Sequence, residues 1–152
     1  MLDKIDKAIL SQLQVDSSLS IHDLAESINL TISPCWKRIK KLETLGVIEK
    51  RVALLDPNTL GLSFTAFVMV KTEDHSHSWY QSFVGTVVDY PEVMEFYRMA
   101  GEYDYMLKVL VKDMKEFDLF YKKLVCGVDS LTTVTSTFAM EPLKYTTALP
   151  IE

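Results

Sequence analysis

Between Thr31 and Arg51 the chain gathers Lys37, Arg38, Lys40, Lys41, Lys50 and Arg51 against only Glu43 and Glu49. Ser33 and Thr44 add hydroxyl groups to the same stretch. Closely spaced cations with short hydroxyls suit the non-covalent recognition of phosphate oxygens and base edges. The cluster stands against an acidic background, since 16 Lys plus Arg face 21 Asp plus Glu and the net charge is -5. Residues 1–60 carry equal numbers of both signs, so the acidity belongs to residues 61–152. A duplex senses the local face, because fields fade within about 10 Å in ordinary salt.

Three short helices are predicted to position these groups. Leu2, Ile5, Ile9 and Leu13 recur at helical spacing, and Ile21, Leu24, Ala25 and Ile28 do so again after the DSSLS break. Ser20 is a suitable N-cap for the second helix, with Asp23 three residues on. Asn29 and Leu30 make a brief connection to a third helix starting near Thr31 or Ser33, where Pro34 is tolerated in the first turn. Gly46 ends that helix. This is a helix-turn-helix layout.

On the third helix, Ile32, Cys35, Ile39 and Leu42 share one arc, with Trp36 at its margin, read as a packing residue before a residue with an edge toward DNA. Ser33, Lys37, Lys40, Lys41 and Thr44 fall on the opposite side, and Arg38 lies on a flank. The lysines suit phosphates, while Ser33 and Thr44 suit phosphate or base edges. Arg38 is expected to contact guanine, or the DNA backbone. A basic helical face can also be plain solvated surface, and it is the preceding helix and tight turn that favour DNA. VIEKRVALL then reads as an extended linker strand and DPNTLGL as a turn-rich link.

From Leu62 the period changes to that of strands. SFTAFVMVKT, Val93–Met99, Tyr105–Val111 and SLTTVTSTFAM alternate with helices over 75–90 and after Asp113. The order βαββαβ is ferredoxin-like, a sheet with both helices on one face. The uncovered face, expected to carry Phe64, Ala66, Val68 or their neighbours, suits self-association. The division expected is 1–60 for DNA binding with its linker strand, and 61–152 for the second domain.

Other chemistries find little support. Cys35 and Cys126 are far apart and without metal-ligand spacing, so two reduced, packed thiols are expected. His75 and His77 lack a carboxylate or cysteine partner at ligand spacing, and no nucleophile-base set is visible, so no enzyme, metal or cofactor is expected. The apolar runs are too short to span a bilayer and the N-terminus lacks a signal-peptide core, which points to the cytoplasm.

LSIHDLAESINLTISPCWKRIKKLETLGVI, followed by ALLDPNTLGL, resembles the DNA-binding signature of the Lrp/AsnC (feast/famine) regulators. The resemblance extends over the second half through the G-x-x-D loop Gly101-Glu102-Tyr103-Asp104. RMAGEYDY and FAMEPLKYTTALPIE are especially similar to the cysteine-detoxification regulators of that family. The resemblance implies a transcriptional regulator, an activator in that subgroup, built as a winged helix-turn-helix domain plus a ferredoxin-like effector domain. It implies homodimers and higher oligomers (tetramers of dimers) and a small amino-acid effector, possibly L-cysteine. It places that effector against Gly101, Glu102, Tyr103 and Asp104, with the main chain of Thr135, Ser136 and Thr137 opposite and Arg98 nearby. Taken alone, Gly101 and Asp104 also fit an ordinary tight hairpin. A stand-alone amino-acid sensor without specific DNA binding is the alternative, and the basic helix speaks against it.

Overall fold

A computed structural model describes residues 2–151. The chain forms two compact units, Met1–Leu54 with Leu143–Glu152, and Leu55–Pro142. The closing segment thus groups with the first unit. Two amide hydrogen bonds explain this. The Gln14 side chain donates to the Leu149 carbonyl (2.9 Å) and accepts from its N–H (2.8 Å). Ile151 packs against the core of the first unit.

In the first unit, α1 (Lys4–Leu13) opens with a capping box: Asp3 accepts from the Asp6 N–H and Asp6 accepts from the Asp3 N–H. Ser20 caps α2 (Ile21–Ser27) as expected. The turn that follows depends on Asn29 at φ 55°, whose N–H donates to the Glu26 carbonyl while that of Leu30 donates to Ala25. This left-handed closure uses the residue type that best tolerates it after glycine. Gly46, at φ 70°, closes α3 (Ile32–Thr44) in the same way, with Val47 N–H reaching Leu42. Ile9, Leu24, Ala25, Cys35, Ile39 and Leu42 form the core. Among the described residues, no strand forms between Val47 and Ser63, so the expected linker strand has no ladder partner within one chain.

The second unit runs β1 (Phe64–Thr72), α4 (His77–Val88), β2 (Val93–Arg98), β3 (Tyr105–Val111), α5 (Met114–Gly127) and β4 (Leu131–Phe138). The strands are antiparallel in the order β2-β3-β1-β4, the predicted ferredoxin-like arrangement. Ser76 and Asp113 cap the two helices. Ala66, Val68 and Val70 are fully buried with Phe83, Leu107 and Phe120, so they point toward the helices. Of the two sets left open by the sequence, the neighbours therefore lie on the uncovered face. Alternation defines two faces but not which one the helices cover. The open face carries Phe67, Met69 and Lys71, opposite Lys108 and Met106 on one side and Thr137, Thr135 and Thr133 on the other. Phe64 lies on the covered side, in contact with Phe117.

Candidate nucleic-acid interface

Cys35, Ile39 and Leu42 turn the inner face of α3 into the core, and Ser33, Lys37, Lys40, Lys41 and Thr44 are left exposed on the outside. That division is the predicted one. The lysines are not equivalent. Lys40 pairs with Glu43 at 2.7 Å and sits 5.9 Å from the centre of the Trp36 ring. Lys40, with Arg51 behind it, holds the Glu43 carboxyl below the ordinary glutamate value. The ammonium groups of Lys37 and Lys41 have no ion pair among the described residues. Thr44 donates its hydroxyl to the Lys40 carbonyl at 2.8 Å. Two free cations therefore project from one helical face with Ser33 near its start.

Arg38 does not belong to that face. Its Nη1 donates to Asp6 Oδ1 at 2.6 Å and to Asp3 Oδ2 at 2.7 Å, which ties α3 to the N-terminus of α1. Asp6 is only 2% exposed, so the guanidinium compensates a buried carboxylate. The hydrogen bond from the Asp6 N–H, then the Arg38 guanidinium, holds the Asp3 carboxyl below the usual aspartate range. Without DNA, the Arg38 Nη1 expected to contact guanine or the DNA backbone thus forms a clasp between helices. Ile32 and Trp36 also depart from the expected packing arc, at 47% and 53% exposure.

Cys35 is fully buried as expected, and burial pushes its thiol pKa up. A thiol reagent at neutral pH should therefore leave Cys35 unmodified in the native protein and label it only after denaturation, while exposed Cys126 reacts directly. Mass spectrometry of labelled peptides checks this.

In the second unit the G-x-x-D loop is fastened to β1. Asp104 N–H donates to the Val70 carbonyl at 2.9 Å, and the Asp104 carboxylate accepts from the Thr72 N–H at 2.9 Å. Gly101 adopts φ 147°, a backbone that side-chain-bearing residues rarely take. Lys71 joins the loop residues, 3.3 Å from Glu102 and 5.0 Å from the centre of the Tyr103 ring. The Tyr103 hydroxyl lies 3.5 Å from Thr135 Oγ1. Lys71, Glu102, Tyr103 and Thr135 thus meet on the open sheet face, and the sequence reading missed Lys71 because nothing local links it to the loop. Thr137 shares that face, opposite Phe67. The Ser136 side chain does not: it pairs opposite buried Val68, and its Oγ is buried without a hydrogen-bond partner. Only its main chain remains for the role expected of it. Arg98 lies over Tyr80, 5.8 Å from the ring centre. β4 is an edge strand, so one side of its backbone is free of ladder partners within the chain.

Among the described residues, no helix is long and apolar enough to cross a membrane.

Comparison with known proteins bears on both units. Residues 2–49 match the winged helix-turn-helix DNA-binding family, and residues 65–149 match the Lrp/AsnC ligand binding domain. The chain is 58% identical over 152 residues to the DNA-binding transcriptional activator DecR of Escherichia coli, covering 100% of both chains. It is 46% identical over 150 residues to the glutamate uptake regulatory protein of Zymomonas mobilis, covering 99% of this chain and 91% of that one. An AsnC family transcriptional regulator from Agrobacterium tumefaciens superposes with a TM-score of 0.96 at 47% identity, over 98% of this chain and 97% of that one. A transcriptional regulator from Neisseria meningitidis, solved as its complex with L-methionine, superposes at 0.93 with 33% identity, over 99% and 97%. With a helix-turn-helix whose outer face is basic, a four-stranded ferredoxin-like unit and relatives matched along their whole length, the chain belongs to the Lrp/AsnC family of transcriptional regulators.

Proposed function

We propose that this regulator binds duplex DNA through the outer face of α3 and that a small amino acid bound to the second unit controls that binding. The observation that carries the first part is the free, exposed pair Lys37 and Lys41 on a helix whose other side is buried. These two cations neutralise phosphates, and Ser33 and Thr44 contact phosphate or base edges beside them. Lys40 contributes after exchanging Glu43 for a phosphate oxygen.

One such helix reads a short half-site, and a dimer brings two of them about 34–36 Å apart, one turn of duplex. The open face of the sheet, with Phe67, Met69 and Met106, is the surface that a second copy covers in this reading. Further pairing of dimers leads to the tetramer of dimers that family resemblance suggests.

The effector site comprises Gly101 to Asp104 with the main chain of Thr135, Ser136 and Thr137. An amino acid needs N–H donors for its carboxylate and an anionic partner for its ammonium group. Glu102 and the second oxygen of Asp104 offer the negative charge, since Asp104 spends Oδ2 on Thr72. Resemblance to DecR puts L-cysteine first, although the relatives' names also mention glutamate and methionine. To act, the ligand must bind the DNA-competent arrangement and its alternative unequally.

Calorimetric titration with the common amino acids tests the reading, and one of them, cysteine first, is expected to bind and to shift operator affinity. Heat from none of them, or binding without any change in operator affinity, contradicts it. Asp104→Asn keeps the acceptor for Thr72 and removes the charge. It is expected to weaken the effector by about tenfold or more while leaving effector-free DNA binding unchanged. Paired titrations of amino acid and DNA check this.

A further inference from the structure

Trp36 is half exposed on the DNA-facing helix, although a large apolar side chain gains most from burial. The Lys40 ammonium lies 5.9 Å from the ring centre and pairs with Glu43. The ring also borders a hollow of ≈ 270 Å³ lined by Leu13, Ile21 and Leu24 and by the charged Lys40, Glu43 and Arg51. The two tryptophans of the chain differ in their indole N–H. That of Trp79 donates to the Asp129 carbonyl at 2.8 Å, whereas Trp36 has no hydrogen bond among the described residues. Trp36 therefore offers an apolar ring and one unused donor, beside the lysines that hold phosphate.

The major-groove edge of thymine is the one that places a methyl group next to a hydrogen-bond acceptor, O4. Cytosine presents a donor there, guanine two acceptors without a methyl, and adenine a donor with an acceptor. We infer that Trp36 is a base-reading residue that selects a thymine in each half-site, its ring against the 5-methyl group and its N–H available to O4. This rests on α3 being the DNA-reading helix. In this role Trp36 supplies the sequence discrimination that Arg38, committed to Asp3 and Asp6, does not.

The test uses an operator selected by the full-length protein from a random duplex pool, with each thymine replaced in turn by deoxyuridine. That change removes the methyl group and leaves O4. At one thymine per half-site the replacement is expected to weaken the wild-type protein about fourfold, the fold-change for burying one methyl group. Trp36→Ala should show no penalty at that position, and Trp36→Phe should keep it. In the wild-type protein, iodide should quench exposed Trp36 and not buried Trp79, and operator DNA should remove that quenching. A deoxyuridine profile that is the same in Trp36→Ala and wild type overturns the inference, as does quenching undiminished by operator. Failure of the α3 reading would look different, since affinity for random-sequence duplex would then survive Lys37→Ala/Lys41→Ala. Should Trp36→Ala fail to fold, Trp36→Phe and the quenching measurement decide.

Discussion

Asp6→Ala is expected to destabilise the DNA-binding unit by about 2–3 kcal/mol, the range for losing a charge-assisted hydrogen bond together with a helix cap. Asp6 is 2% exposed, lies 2.6 Å from Arg38, and closes the capping box of α1 through the Asp3 N–H. Its loss frees one end of the clasp that joins α1 to α3. Hydrogen exchange of the Ile39 and Leu42 amides in the full-length protein reads this directly, with protection falling about 30-fold or more. Arg38→Ala acts in the same direction, because it leaves the Asp6 carboxylate buried without its cation. The double variant should lose less than the sum of the two singles, the signature of a shared interaction. Additive losses, or full protection in Asp6→Ala, would count against the clasp. The pH dependence has a definite sign. The Asp3 carboxyl is held below its ordinary value in the folded chain, so its contribution is complete above the unfolded pKa of about 3.9. It disappears as pH falls through the lower folded value. The Asp3 contribution to the clasp should be indifferent to pH between about 5 and 8 and be lost only in acid.

The second large effect concerns affinity. Each phosphate neutralised contributes about 0.9 to the slope of log affinity against log salt. Lys37→Ala/Lys41→Ala should therefore flatten that slope by about 1.8 per bound head and weaken every sequence alike. At ordinary salt this amounts to roughly an order of magnitude or more per head. Lys40→Ala supplies the internal comparison. Its ammonium already holds Glu43, so breaking that pair offsets part of what a phosphate contact would add. The Lys40 variant is expected to flatten the slope less than Lys37→Ala. Fluorescence anisotropy across a salt series separates the outcomes, and an unchanged slope in the Lys37/Lys41 variant would remove these residues from the DNA face.

Much of this could be read from local pattern. Ser20 and Asp113 cap helices because their side chains reach N–H groups three residues on, a signal contained within four positions. Tyr105–Val111 alternates buried and half-buried side chains without interruption, so its bounds match the expected strand. Contacts between distant residues were less legible. Arg38 lies 32 residues from Asp6, and a helical wheel places it on a flank without naming the carboxylates that meet it there. The helical angle of Ile32 and Trp36 suits packing, yet both are about half exposed, since the angle alone does not say how far the neighbouring side chains cover the rim of the arc. Period two separated Ala66 and Val68 from Phe67 and Met69, and the helices chose the face. The return of Leu149 to Gln14 spans 135 residues and has no sequence signature.

In the proposed function the lysine side of α3 meets the duplex. Acetylation footprinting of the full-length protein, with and without its selected operator, tests it residue by residue. Lys37 and Lys41 should be modified freely in the absence of DNA and protected when it is bound, while Lys112, Lys115 and Lys122 of the second unit react equally in both states. Protection confined to the second unit, or Lys37 and Lys41 equally reactive with and without operator, would contradict the account.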